Sequence, residues 1–169
     1  NNKYFLNDFD GAIIEYNYFI RQASTDRGIN NELYLQAEFM ISKCHYKLSN
    51  DIKRDQTDTY IALNNLQESI EKKSMQKYYE EINIMIKDLR IKLAKKDFQT
   101  ALLYLQLEED IAAKVYFENI INDYYDTNFI DESLLNVALI KKKNNLDRAK
   151  KYLIDNKDFF TSSEEFENA

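Results

Sequence analysis

Cys44 and His45 stand side by side and are the only cysteine and the only histidine of the chain. A thiol and an imidazole form a nucleophile–base pair only when their side chains converge. Both lie in an apolar-periodic stretch, Phe39-Met40-Ile41-Ser42-Lys43-Cys44-His45, that reads as helix. Neighbours on a helix project about 100° apart, so this spacing predicts a core thiol beside a partly exposed histidine. One Cys and one His also fall short of a zinc set unless carboxylates from elsewhere complete it. The acidic runs Glu80-Glu81, Glu108-Glu109-Asp110 and Glu164-Glu165 read as solvated faces or cap charges. Asp51, Asp55 and Asp58 lack the glycine-bearing spacing of a calcium loop. Gly11 and Gly28 are too far apart to build a phosphate-cradling loop. No catalytic residue, cofactor site or metal site is assigned.

The elements that would have to position such residues are helices. The 169 residues include no proline and only two glycines. Strands joined by tight turns normally need both residue types, and alternating apolar and polar stretches are absent. The net charge is −6 with both signs interspersed, and no basic stripe with interleaved aromatics offsets it. Nucleic acid is therefore not expected as a partner. No apolar run reaches the roughly 18 residues a bilayer span requires. No signal peptide or lipidation motif stands at the front, and a lone cysteine leaves the redox compartment open. The first residues, Asn-Asn-Lys-Tyr-Phe, read as the middle of a helix, so the chain is expected to be a fragment lacking an N-terminal signal and a first helix.

Four stretches share a pattern of a polar start, an alanine, and a bulky residue four later. They are Asn7-Asp8-Phe9 before Ala12 and Tyr16, Thr57-Asp58-Thr59 before Ala62 and Leu66, Glu109-Asp110 before Ala113 and Phe117, and Asn145-Leu146-Asp147 before Ala149 and Leu153. The alanines are 50, 51 and 36 residues apart. The last interval is near the ~34-residue tetratricopeptide period, and the others are that period with insertions. A small residue permits two helix axes to cross closely, and the bulky residue one turn on fills the space between pairs. Partner helices are expected over 31–48, from about 76 for about 30 residues, and over 128–143, with the first patterned helix over 7–22. Thr57 or Asp58, Ser74, and Thr127 or Asn128 are the expected caps. The fold class is thus all-α, a tetratricopeptide-type superhelix of antiparallel helix pairs forming a single solenoid over 1–160, with a polar tail over 161–169. Residues 23–30 and 49–56 read as long surface links, either contact loops or spacers. Tyr78, Tyr124 and Tyr125 fall at helix edges, where tyrosine lines a recognition groove or packs a rim.

Residues 54 to 135 carry a more specific likeness. Arg54-Asp55-Gln56-Thr57-Asp58-Thr59, followed by Ala62, resembles the Asp-Gln-Thr-x-Thr lead-in of outer-membrane assembly lipoproteins of the BamD group, particularly those of the Bacteroidetes. Tyr78-Tyr79-Glu80-Glu81 and then Leu89-Arg90-Ile91-Lys92-Leu93-Ala94-Lys95-Lys96-Asp97-Phe98 is similar to the family's Leu-Arg-x-Lys-Leu-Ala-x-Lys-x-Phe stretch. Ala112-Ala113 through Phe117-Glu118-Asn119, with Asp123-Tyr124-Tyr125-Asp126-Thr127, resembles its Phe-Glu-Asn and Asp-Tyr-Pro-Asp-Thr element. Two departures bear on the sharpness of turns rather than on helices. The family's Gly-Asp-Tyr reads Glu108-Glu109-Asp110, and its Tyr-Pro pairs read Tyr124-Tyr125 in one place and are missing after Ile70-Glu71-Lys72-Lys73 in another.

The resemblance implies a non-enzymatic, lipid-anchored scaffold at the periplasmic face of the outer membrane, touching the membrane only through an N-terminal lipid outside this chain. Its implied partners are the POTRA domains of a BamA-like insertase, other subunits of the barrel-assembly (BAM) machinery, and unfolded outer-membrane proteins. By that likeness docking is expected around Tyr116 to Glu132 and substrate contact around 7–60. The candidate partner-binding residues are Arg54, Asp55, Tyr78, Tyr116, Asp123, Tyr124, Tyr125 and Asp126. The alternative is a generic tetratricopeptide adaptor of the cell envelope, such as a cell-division or Tol-Pal coordinator.

Overall fold

The four patterned alanines, Ala12, Ala62, Ala113 and Ala149, are all buried, three of them completely. The computed structural model describes residues 2–25, 31–49 and 51–160, and among these it has helices and turns but no strand. The helices are α1 (Asn2–Phe5), α2 (Phe9–Thr25), α3 (Asn31–Leu48), α4 (Thr57–Ile70), α5 (Tyr79–Gln106), α6 (Asp110–Asp123), α7 (Ile130–Asn144) and α8 (Leu146–Asp155). Short 3-10 turns occupy Lys73–Tyr78 and Lys157–Phe159. The chain is all-α, as its composition and 3.6-residue periodicity imply. The tail over 161–169 and part of the 23–30 link lie outside the described residues.

Contacts group the chain into two compact units, Asn1–Leu89 and Arg90–Ala169. In the first, α2 packs on α3 and α3 on α4. Phe39, Leu63 and Leu66 are buried in this unit together with Ala12, Ala37 and Ala62. Met75, from the 3-10 turn, is also buried here. In the second unit α6 packs on α7 and α7 on α8. Its core centres on Phe98, whose ring lies 5.7 Å from Phe117 edge-on and 5.3 Å from Phe129. Such aromatic pairs add about 0.5–1.5 kcal/mol each beyond the area they bury. Ala94, Ala101, Leu134 and Val137 close this core.

α3 spans Asn31–Leu48 as expected, while several other helix starts and caps depart from expectation for local reasons. Neither Thr57 nor Asp58 caps α4. The Ncap is Gln56, with no side-chain cap bond; Asp55 Oδ1 accepts from Thr57 N at 3.0 Å in the turn before it, while Asp58 pairs with His45. Ser74 lies inside the 3-10 turn, and α5 begins five residues later at Tyr79. Before α7 the Ncap is Phe129 with no side-chain cap bond. The Thr127 hydroxyl instead donates back to Tyr124 O at 2.8 Å, holding the preceding turn. Asn145 caps α8 as its pattern implies, accepting from Asp147 N and Arg148 N.

Candidate interaction surfaces

The first resembling motif forms a self-contained loop lock ahead of α4. Its centre is Gln56, buried at 3 % exposure. The Gln56 amide nitrogen donates to the carbonyls of Asp51 and Arg54, and its oxygen accepts from the Thr59 hydroxyl at 2.8 Å. A buried amide with its donors and acceptor engaged fixes the loop, because leaving any of them unpaired would cost about 1–3 kcal/mol. Asp55 braces the turn beside it by accepting from Thr57 N. Arg54 and Asp55 are thereby presented to solvent on a rigid turn.

The second and third motifs meet in space around Arg90, which opens the second unit. Its Nε donates to both oxygens of Asp126 at 3.0 Å, and its Nη2 reaches Asp126 Oδ1 at 2.5 Å and Asp123 O at 2.7 Å. The guanidinium carbon also lies 5.6 Å from the Tyr124 ring and 5.8 Å from the Tyr125 ring. This forked, stacked geometry suits arginine and not lysine. The hydrogen bonds to Asp126 hold the guanidinium above its ordinary pKa. Asp123, Tyr124, Tyr125, Asp126 and Arg90 are one cluster, in which Tyr124 is buried and Tyr125 is 60 % exposed. Arg90 is the member of this cluster that spacing alone missed. The available signal was its type: only five of the 23 basic residues are arginine, so one at this position asks for a planar partner.

The remaining candidates lie apart from that cluster or in the other unit. Tyr78 stacks on Phe39 at 4.3 Å in the first unit and is half-buried. Tyr116 stacks on Tyr104 at 5.5 Å, and burial followed by the neighbouring phenol pushes its hydroxyl pKa up. The sequence brings Asp123 to Asp126 together but leaves Arg54, Asp55 and Tyr78 in the first unit.

Cys44 and His45 do not converge. The thiol is fully buried, and burial, followed by the Asp10 charge, pushes it up to about 11. At neutral pH it is a core thiol, not a nucleophile. His45 turns away and meets Asp58 Oδ1 through Nδ1 at 2.8 Å. Among the described residues no group of three or more metal-ligating side chains is gathered. No described helix is long and apolar enough to cross a membrane.

Each unit also carries an apolar groove. In the first it encloses about 420 Å³ between α1, α2 and α3, with Phe5, Tyr16, Phe19, Leu33 and Met40 among its walls. In the second it encloses about 330 Å³ between α7 and α8. Glu15 and Gln36 also line the first groove, and Lys142 and Lys150 the second; open grooves walled mainly by aromatic and aliphatic side chains accept side chains of a guest polypeptide.

A comparison with curated proteins gave no match. A comparison with family models matches residues 2–155 to YfiO, described as outer membrane lipoprotein. That span covers the eight described helices, the loop lock and the Arg90 cluster, and the chain belongs to this family, the BamD/YfiO group of outer-membrane lipoproteins.

Proposed function

We propose that this protein is a non-enzymatic scaffold lipoprotein of the outer-membrane β-barrel assembly machinery. It binds the POTRA domains of a BamA-like insertase, contacts other subunits of that machinery, and assists insertion of outer-membrane proteins. It is held at the periplasmic face by a lipid on a cysteine outside residues 1–169, and the helix pairs over 1–160 act as one solenoid scaffold. The observation that carries this reading is the family membership over residues 2–155. Three features support it. Cys44 is sealed in the core and cannot serve as a lipid-bearing or catalytic thiol. The first unit offers an apolar groove suited to aliphatic and aromatic side chains of an unfolded barrel chain. The second presents Tyr125 and Asp126 on a turn made rigid by Arg90, the kind of preorganised aromatic and charged contact that interfaces favour.

Purification of the full-length protein from its own cells, followed by identification of what stays bound, tests the reading. Retention of a BamA-like insertase is expected, with binding of its isolated POTRA domains weakened by Tyr125→Ala. Stable association with a different envelope system, and none with an insertase, would overturn it in favour of a general adaptor.

A further inference from the structure

The groove between α7 and α8 has features that the assembly reading does not use. Its floor is made by Ala138 and Ala149, exposed by 5 % and 4 %. Its walls include Leu139 and Leu146, which leave 54 % and 50 % of their surface in water although each belongs to a packed hairpin. Lys142 and Lys150 stand exposed on its rim. Alanines on a floor between two helices permit a third helix axis to approach closely, and flanking leucines then interdigitate with its ridges. The groove follows α8, whose ten residues span about 15 Å, so it matches roughly three turns of a guest helix.

Charge decides which helix fits. Lys142 and Lys150 line this groove and, among the described residues, no carboxylate does, whereas Lys141, Arg148 and Lys151 line another groove with Asp110 and Asp155 and Lys143 pairs with Asp110. The whole protein is −6, while the hairpin over 130–155 has six basic residues against Asp131, Glu132, Asp147 and Asp155, so the groove is locally basic on an acidic molecule. A guest that buries leucines between two lysine ammonium groups gains from carboxylates flanking its apolar stripe, and a basic guest is repelled. A lipid surface would meet the ridges of the hairpin and leave the recessed alanine floor unfilled, whereas a helix fills it.

We propose that the α7–α8 groove is a docking site for an acidic amphipathic helix of a partner protein, with apolar anchors at helical spacing over Ala138 and Ala149 and carboxylates against Lys142 and Lys150. This goes beyond the assembly reading and rests on the groove alone.

The test uses the full chain and three fluorescent synthetic 15-residue peptides followed by anisotropy. One carries leucines at i, i+3/i+4 and i+7 among glutamates, one is its scramble, and one has lysine for each glutamate. The striped acidic peptide is expected to bind and the other two to fail. Leu139→Asp, at a half-exposed position, should weaken binding roughly tenfold with an unchanged circular-dichroism melt. The double variant Lys142→Glu/Lys150→Glu should lose the acidic peptide and gain the basic one. Equal binding of the scramble, absence of that charge reversal, or binding to phosphatidylglycerol vesicles in place of any peptide would overturn the proposal.

Discussion

Two turns, one in each unit, have the same backbone built from different residues. Ahead of Ala12, Asn7 sits at φ 60°, and ahead of Ala113, Glu108 sits at φ 61°. Both close a preceding helix with the same pair of bonds. Asp8 N reaches Lys3 O and Asn7 N reaches Tyr4 O, while Glu109 N reaches Tyr104 O and Glu108 N reaches Leu105 O. This is a Schellman ending with its left-handed residue at the first position past the helix. In the first unit the residues suit the geometry. Asparagine tolerates the left-handed region, Asp8 caps α2 by accepting from Gly11 N at 3.0 Å, and Gly11 leaves space for that carboxylate. A Cβ on Gly11 would collide with the Asp8 carboxylate. In the second unit Glu108 is poorly suited to the left-handed region, Glu109 makes no cap bond, and Ala112 stands where Gly11 does. The turn there is nevertheless equally sharp, despite the loss of the family-like Gly-Asp-Tyr. Packing of α5 on α6, through Phe98 on Phe117 and Tyr104 on Tyr116, imposes it. One turn is locally encoded and the other is held from outside.

The largest break in that comparison comes from removing the packing. Phe117→Ala empties a fully buried site and should cost about 3–5 kcal/mol. Tyr16, the counterpart one turn after Ala12, is only half-buried, so Tyr16→Ala should cost clearly less. Urea melts of the two variants check the order, and equal losses would mean that the two turns are supported alike. Ala113→Leu is the next largest. It inserts a larger side chain where the exposure is zero and should destabilise by about 1–3 kcal/mol through overpacking. An unchanged thermal melt would contradict the close approach of α6 to its partners.

The same contrast shows what could be read from residue types. The four alanines and the extent of α3 follow from helical spacing, since a buried stripe must recur with the helix turn. Cap positions were less legible, because Asp58, Thr127 and Asp55 each choose among several partners within a few residues, and folding decides which. The Arg90 cluster could not be assembled from spacing, as Asp126 is 36 positions away and only the return of the chain after α6 brings it back. Tyr124 illustrates the cost of that gap. At a helix edge it reads as either lining a groove or packing a rim, and at 8 % exposure beneath the Arg90 guanidinium it packs. The leucine walls of the α7–α8 groove were hidden for the opposite reason, because a half-exposed leucine and a core leucine occupy the same periodic positions.

Electrostatics separates the units further, and pH sharpens the contrast. In the first unit, ion pairs such as Lys43–Glu81 and Lys77–Glu32 lie near the surface and contribute little each. In the second, burial pushes the Asp97 carboxyl from 3.8 up to about 6, with Asp123 raising it further and Lys96 opposing. A folded-state value above the unfolded one favours the protonated form. The contribution is therefore fully present below about pH 4 and is lost as pH rises through 6. The difference of about two pH units has a ceiling near 3 kcal/mol, and partial exposure screens it to about 1 kcal/mol. Asp97→Asn should accordingly stabilise the second unit by about 1 kcal/mol at pH 7.5 and have no effect below pH 4. Parallel urea melts at the two pH values measure this, and a pH-independent difference would show that the carboxyl is fully solvated.

The smallest effect tests the comparison most directly. If the second turn is held against its local preference, glycine at the left-handed position should relieve it. Glu108→Gly is expected to stabilise by about 0.5–1 kcal/mol, because removing the Cβ strain outweighs the added freedom of the unfolded chain. Asn7→Gly should change stability by only a few tenths, since asparagine already tolerates that region. The two glycine variants share φ within a degree and the same bonding pattern, so the difference between them isolates how well each residue fits. Glu109→Asp adds a second arm. A shorter carboxylate there, in the place of Asp8, should supply the missing cap and contribute about another 0.5 kcal/mol. Ala112→Gly in the same chain tests whether that carboxylate needs the space Gly11 provides. Differential scanning calorimetry resolves shifts of this size. Equal gains from Glu108→Gly and Asn7→Gly would mean both turns depend on packing to the same degree, and the distinction between a locally encoded turn and an imposed one would fail.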